Sequence, residues 1–351
     1  MLAMFGKQNR LLGLDIGSSE IKAIEFQRGS GDALSITAFA ASPVNAPEET
    51  KFAIKEVIRS GGFGTRRVVT SVSGRSVIVR YVTMLQMSRQ DLQSAIRYEA
   101  DKYIPFEVEE VQLDCQILEE DVGRGEGDQP EMKVLLVAVK KTMIEDHVAL
   151  LRDCGLQPAV IDVDAFALGN AFESRASRTH REREFDDKVV ALIDIGANKT
   201  NINIVKGKTS YFTREIYLAG NDFTEAVSRR LAIDTSEAEP LKLDPRDRVG
   251  EVEEAILPTL EDLGNEIQLS FDYYENQFDK EVEEVYISGG SAKLPGLART
   301  FEGNFDKPII FWDPLENLQV RADRVDEKAL RARSGQLAVT VGLASRIRGS
   351  T

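Results

Sequence analysis

Two stretches of this chain are built to one plan. Leu11-Leu12-Gly13-Leu14-Asp15-Ile16-Gly17-Ser18-Ser19-Glu20-Ile21-Lys22-Ala23-Ile24-Glu25-Phe26 reads as a buried strand, a glycine turn with two hydroxyls, and a second strand of alternating character. Val189-Val190-Ala191-Leu192-Ile193-Asp194-Ile195-Gly196-Ala197-Asn198-Lys199-Thr200-Asn201-Ile202-Asn203-Ile204-Val205 repeats it. Two copies, each opening one half of the chain, predict two similar halves facing across a cleft. The backbone N–H groups of such turns form a locally positive nest, and glycine lets the chain approach an anion closely. A third element, Ile287-Ser288-Gly289-Gly290-Ser291, leads into a helix, where glycine backbone gives a base or ribose a flat surface and a helix N-terminus favours anions.

At 351 residues the chain exceeds what one ordinary core accommodates, so two domains are expected. A net charge of −14 argues against nucleic-acid binding, which is driven by Lys and Arg neutralising phosphates. No apolar run approaches the length of a membrane span, and Met1-Leu2-Ala3-Met4-Phe5-Gly6 has neither the basic segment nor the apolar core of a signal peptide. Cys115 and Cys154 lack metal-like spacing, and His147 and His180 stand far apart. A reducing cytoplasm, without a disulfide framework or a histidine metal site, is therefore the expectation.

Along the chain, residues 33–41 alternate and extend the first sheet, and 48–60 form a helix with Phe52, Ala53, Val57 and Ile58 inward, stopped by Gly61-Gly62. Residues 68–72 and 76–83 read as strands. Ser88 with Asp91 resembles a capping box opening a helix whose face is Leu92, Ile96, Ala100 and Tyr103, ended before Pro105. Strands at 111–118 and 134–139 flank the acidic, glycine-rich connection 120–130, and a helix at 142–154 ends on Gly155. A strand at 158–163 and a helix at 164–172 follow. Residues 175–188, dense in both charge signs, read as an exposed connection or a frayed helix end. The second half continues with a strand at 209–218, helices from Gly220, at 237–243 and at 252–278, a strand at 284–287, a last strand at 307–312 and a closing helix at 336–347.

These elements together resemble the actin-like ATPase superfamily, with its two phosphate loops, adenosine loop and two connecting helices. Asp15, Gly17, Ser18, Ser19 and Lys22 match the first phosphate loop; Asp194, Gly196 and Thr200 the second; Gly289, Gly290 and Ser291 the adenosine loop. Residues 164–172 and 336–344 fall where the connecting helices belong. The resemblance implies an α/β fold with two lobes of mixed sheets and helices around a nucleotide cleft. The module at 84–160 looks like the relocated subdomain of the division protein FtsA. Arg97-Tyr98-Glu99-Ala100-Asp101-Lys102-Tyr103-Ile104-Pro105-Phe106, Cys154-Gly155-Leu156-Gln157-Pro158 and Ser270-Phe271-Asp272-Tyr273-Tyr274 are similar to segments of the PilM family of type IV pilus assembly proteins. The expected organisation is a first lobe of 1–83 with 161–185 and 331–351, an inserted subdomain 84–160, a second lobe of 186–219 with 284–330, and a helical subdomain 220–283.

The resemblance also implies roles. ATP is the expected ligand, with magnesium held through water by Asp15 and Asp194, because magnesium keeps much of its hydration. Lys22 reaches the phosphates as a point charge; Glu239 and Lys242 resemble the nucleotide-facing helix of the second lobe, although Pro240 lies between them. Each of these also has an ordinary reading as a turn, cap or surface residue. Ala197 and Asn198 stand where hydrolytic relatives carry an acidic residue or glycine, leaving Asp164 as the candidate to orient a water. Weak turnover at most is expected.

The implied partner is the cytoplasmic N-terminal segment of PilN in the inner-membrane pilus complex. Its groove is expected between the first lobe and the inserted module near Tyr98, Tyr103, Ile104, Pro105 and Phe106, which read equally well as module core. Only Arg348-Gly349-Ser350-Thr351 follow Ile347, which argues against an FtsA-like terminal membrane helix and direct membrane insertion. Self-association into FtsA-like filaments is one alternative function. A small-molecule kinase is another, but a kinase needs a base facing an acceptor hydroxyl, and no such constellation is evident.

Overall fold

The structure is a computed structural model that describes residues 9–29, 33–125, 129–321 and 323–347. The N-terminal hexapeptide, residues 126–128 of the acidic connection and the tail after Ile347 lie outside the described residues. The chain forms two compact units: residues 1–71 with 157–351, and Val72–Leu156.

The first sheet begins as an antiparallel meander of β1 (Arg10–Ile16), β2 (Glu20–Arg28) and β3 (Leu34–Pro43). Helix α1 (Thr50–Ser60) buries Ala53, Ile54, Val57 and Ile58, and β4 (Arg67–Val72) then runs parallel to β1. Phe52, expected inward, is 71% exposed, because the buried stripe is set by the 53/54/57/58 spacing. The inserted unit comprises β5 (Val77–Leu85), α2 (Arg89–Glu99), β6 (Val111–Arg124), β7 (Pro130–Lys140) and α3 (Lys141–Asp153). Its sheet order is β5-β7-β6, so the strand expected with the first lobe pairs here instead. Strand propensity identifies a strand and not the sheet that accepts it. Ser88 caps α2 as its sequence indicates, its hydroxyl accepting from the Asp91 amide at 3.2 Å, while Leu92, Ile96 and Ala100 are buried.

The chain rejoins the first sheet as β8 (Gln157–Val163), beside β4, and continues into α4 (Asp164–Arg178) and the short α5 (Glu182–Phe185). The second sheet opens with β9 (Val189–Ile195), β10 (Thr200–Lys206) and β11 (Thr209–Ile216), again an antiparallel meander. Three helices follow: α6 (Gly220–Leu231), α7 (Thr235–Leu243) and α8 (Val249–Phe278). Then come β12 (Glu284–Ser288), parallel to β9, α9 (Leu297–Phe305) and β13 (Ile309–Phe311). Strand β14 (Gln319–Val320) returns to the first sheet parallel to β3, and α10 (Glu327–Ala332) leads to α11 (Ala338–Ala344). Neither β14 nor α10 was anticipated; each is too short to show a periodic pattern. Among the described residues no helix is long and apolar enough to cross a membrane.

The duplication is visible in the topology. The order β3-β2-β1-β4-β8 in one sheet is matched by β11-β10-β9-β12-β13 in the other. Between them lies a common core in which α4 supplies Leu168, Ala171 and Phe172 and α11 supplies Ala338, Val341 and Ala344. Ile24, Phe26 and Ile36 reach this core from the first sheet, and Val190, Leu192 and Tyr286 from the second. Of the segment 175–188, the first residues are the end of α4, which runs to Arg178, and the rest is only partly exposed. Arg175 is buried and pairs with Glu316 at 2.6 Å, and the Phe185 ring meets Phe172 edge-on at 4.9 Å. On β2, Glu25 is fully buried yet satisfied by Arg10, the Thr37 hydroxyl and the Gly64 and Thr65 amides.

Close crossing at the centre requires glycine twice. A Cβ at Gly342 would overlap the Ala167 carbonyl oxygen of α4, and one at Gly13 would come within 2.5 Å of the Thr340 carbonyl of α11. Gly342→Ala is therefore expected to lower stability by about 3 kcal/mol. Gly303→Ala, at a site on α9 that is open around the new methyl, is expected to raise it by about 0.5–1 kcal/mol. Urea unfolding of the two variants beside the parent checks both signs.

Candidate functional site

Both Asp-Ile-Gly turns close in the same way. The Gly17 amide donates to the Glu20 carbonyl at 3.1 Å and the Gly196 amide to the Lys199 carbonyl at 3.0 Å. A Cβ on Gly17 would sit 2.6 Å from its acceptor oxygen, so the first turn admits no side chain there without movement. Ser18 and Ser19 are exposed at its tip, and the Ser19 carbonyl accepts from Val44. Across the hairpin Asp15 faces Lys22, and their charged groups pair at 2.9 Å. In the second copy the residue facing Asp194 is Asn201, so the lysine belongs to one half only.

The electrostatics show that the two halves meet. Burial acts to lower the Lys22 pKa, but Asp15, then Asp194 of the other sheet, and Glu20 outweigh it, so the ammonium is held above its ordinary value. Burial pushes the Asp194 carboxyl up to about 6, opposed by the Ser288 hydroxyl, which donates to it at 2.7 Å, and by Lys22; Asp15 and Asp164 push it further up. Asp164, the first residue of α4, is paired with Lys199 at 2.7 Å.

The third predicted element joins the same place. Gly289 has φ +103°, where a Cβ would collide with the Ile195 carbonyl, and its amide donates to Gly335 at 2.7 Å. Gly290 is exposed with open space around its Cβ position. The Ser291 amide donates to Ile195 and its hydroxyl to Gly196, tying the bend to the second turn. Helix α6 abuts both: the amides of Gly220 and Asn221 donate to Gly196 and Ala197, and a Cβ on Gly220 would stand 2.7 Å from the Ser291 hydroxyl. Lys242, buried on α7, donates to the Gly220 carbonyl and the Thr224 hydroxyl at 2.8 Å each and pairs with Glu239 at 2.6 Å. Burial lowers its pKa against the pull of Glu239. Pro240 is accommodated within α7, which starts at Thr235.

The structure thus brings Asp15, Lys22, Asp194 and Asp164 together electrostatically and binds Gly196, Gly289, Ser291, Glu239 and Lys242 into one framework around Gly220. Thr200 is fully buried, its hydroxyl donating to the Leu218 carbonyl at 2.8 Å. In the inserted unit Ile104 is buried, Tyr103 and Phe106 pack on the same core, and Tyr98 and Pro105 are exposed; the Lys140 ammonium lies 4.5 Å from the Phe106 ring centre. Ser288, Lys199, Glu215 and Thr224 complete the contacts and were not singled out from sequence. Ser288 immediately precedes the glycine pair and Lys199 lies inside the second turn, so position was the available signal.

The raised Asp194 value has a sign. Its folded pKa lies above the ordinary carboxylate range, so the protonated form favours folding. That contribution is complete below about pH 4 and is lost as the pH rises through about 6. In nucleotide-free, metal-free protein the parent is therefore expected to lose about 2 kcal/mol more stability than Asp194→Asn between about pH 4.5 and pH 8. Parallel urea titrations across that range measure the difference.

Comparison with known proteins follows the same outline. Residues 13–348 match the family model of the type IV pilus assembly protein PilM. A solved PilM–PilN type IV pilus biogenesis complex contains a chain 29% identical to this one, with a TM-score of 0.83 over 98% of this chain and 100% of that one. MreB 5 of Spiroplasma citri, solved bound to AMPPNP, shares the fold at 11% identity and a TM-score of 0.52, over 96% of this chain and 95% of that one. The cell division protein FtsA of Bacillus subtilis (strain 168) is 23% identical over 309 residues, covering 80% of this chain. The chain spans 63% of the length of that curated relative. With duplicated sheets, two helices crossing between them and a family match over nearly its whole length, this chain has the actin-like ATPase fold and belongs to the PilM family of type IV pilus assembly proteins.

Proposed function

We propose that the protein is an ATP-binding adaptor of the type IV pilus inner-membrane assembly complex, working at the cytoplasmic face through a partner. The observation that carries the nucleotide half is the meeting of Asp15, Lys22 and Asp194 beside the Gly289-Gly290 bend. One ammonium, two carboxylates, exposed turn hydroxyls and an open glycine surface are the donor set a magnesium triphosphate and its nucleoside need. In this reading Lys22, Ser18 and Ser19 face phosphate oxygens, with the Gly17 and Gly196 turns shaping the approach. Asp15 and Asp194 hold magnesium through water, and Gly289, Gly290 and Ser291 lie against the adenosine. Glu239 and Lys242 support the nucleoside side, and Thr200 braces the second turn. Among the described residues no three His, Cys, Asp or Glu side chains gather to hold a metal, which favours an ion carried in with phosphate over a dedicated protein cage. The bound group supplies charge that both halves share, and the chain's part is to orient it and keep the lobes together.

The partner half rests on likeness to the PilM solved with PilN. The proposed ligand is the cytoplasmic N-terminal segment of the cognate PilN, an extended peptide engaging the inserted unit near Tyr98 and Pro105. In that unit β6 is an edge strand, and beside α2 a pocket of about 390 Å³ is lined by Ile96, Arg97, Leu113 and Lys141.

A fluorescent, slowly hydrolysed ATP analogue with magnesium is expected to bind the parent, and Lys22→Ala and Gly289→Val each to weaken it by about tenfold or more. Failure of the parent to bind removes the nucleotide half. Titration with the cognate PilN N-terminal peptide, with and without Mg-ATP, is expected to show saturable binding that Tyr98→Ala weakens. No binding in either condition removes the partner half.

A further inference from the structure

Asp164, the candidate named above to orient a hydrolytic water, is already engaged. Asp164 Oδ2 lies 2.7 Å from the Lys199 ammonium, which also lies 3.2 Å from Glu215 Oε1. The three residues come from separate elements: the start of α4, the turn before β10, and β11. All three side chains are largely buried. The other Glu215 oxygen accepts from the Tyr217 hydroxyl at 3.1 Å, which fixes the carboxylate from behind. Burial opposes the charge on Lys199, but Asp164 and Glu215 outweigh it and keep the ammonium above its ordinary pKa, so it is charged at neutral pH. Asp164 in turn helps raise the Asp194 carboxyl, so the triad lies within electrostatic range of the second Asp-Ile-Gly turn.

We propose that Lys199 is a positioning residue that, anchored by Glu215, withholds Asp164 from catalysis, so that bound nucleotide is retained rather than consumed. This rests on the nucleotide reading above. In hydrolysis a water oxygen forms a bond to the terminal phosphorus as the bond from that phosphorus to the diphosphate's bridging oxygen breaks. The water's proton passes to a carboxylate and then to solvent, leaving ADP and inorganic phosphate. An Asp164 carboxylate committed to an adjacent ammonium is aimed along the ion pair instead of at the water. Ala197 and Asn198 of the second turn carry no carboxylate of their own.

The test uses the full chain as Lys199→Met, Lys199→Arg, Asp164→Asn and the Met/Asn double variant. Three readouts are taken: affinity for magnesium AMPPNP, single-turnover hydrolysis of ATP, and melting temperature without nucleotide. Lys199→Met is expected to hydrolyse ATP at least about tenfold faster than the parent, with AMPPNP affinity within about threefold. Lys199→Arg, which keeps the pair, is expected to stay at the parental rate, and the double variant to lose the gain. Without nucleotide, the two single melting losses are expected to exceed the loss in the double variant, as for residues in direct contact. Parental hydrolysis by Lys199→Met with intact binding overturns the proposal, as does an affinity loss of about tenfold or more, which would make Lys199 a phosphate ligand. If the parent binds no nucleotide, the earlier reading fails; additive melting losses would show separately that the ion pair itself is absent.

Discussion

Everything in the large unit depends on how closely α4 and α11 cross. The contact is backbone against backbone: Gly342 takes the place of a side chain over the Ala167 carbonyl, and Gly13 does the same for β1 beneath Thr340. With the helices that close, apolar residues from both sheets reach one shared core. The strand ends then carry Asp15 and Asp194 into mutual electrostatic range. A wider crossing would separate these charges whatever the local geometry of each turn.

The cleft that results is electrostatically unfinished. Lys22 stands among three carboxylates, and Asp194 is held near the middle of the titration range by burial. Such a concentration of partly compensated charge in a largely buried setting carries a desolvation cost. The framework around it is by contrast fully knitted. The bend, the second turn and the start of α6 exchange backbone hydrogen bonds, and Lys242 beneath them is satisfied by a carbonyl, a hydroxyl and a carboxylate. The large unit thus sets unsettled charge inside a closely bonded backbone frame.

Much of this was readable in the chain. The repeated strand, Asp-Ile-Gly turn and strand gave the two halves, and Gly-Gly-Ser after a buried strand gave the third element, because turn chemistry is local and residue-specific. What escaped was set by tertiary partners. Glu25 sits in an alternating strand as an outward residue would, yet it is buried because Arg10, Thr37 and a distant loop converge on it. In the charged segment 175–188, Arg175 is buried because it finds Glu316, 141 positions away, and Phe185 because it packs on Phe172 of α4. The strand read at 76–83 is real, but it belongs with the inserted unit's sheet and not with the first lobe expected over 1–83, since nothing in its own residues names its neighbour. Within the site, the hydrogen bond from Ser288 to Asp194 spans ninety-four positions and leaves no local trace.

The shared core also bears on how the two halves relate. Phe172, Phe185, Tyr286 and Trp312 interlock edge-to-face in one aromatic knot, drawn from the linking helix, the connection and the second sheet. Strand β14, coming after the second sheet is complete, stitches back onto the first. The halves repeat one another in design, yet neither owns the interior that would let it stand alone. A cut between them would therefore split one interior in two and strip each half of part of the packing that holds it.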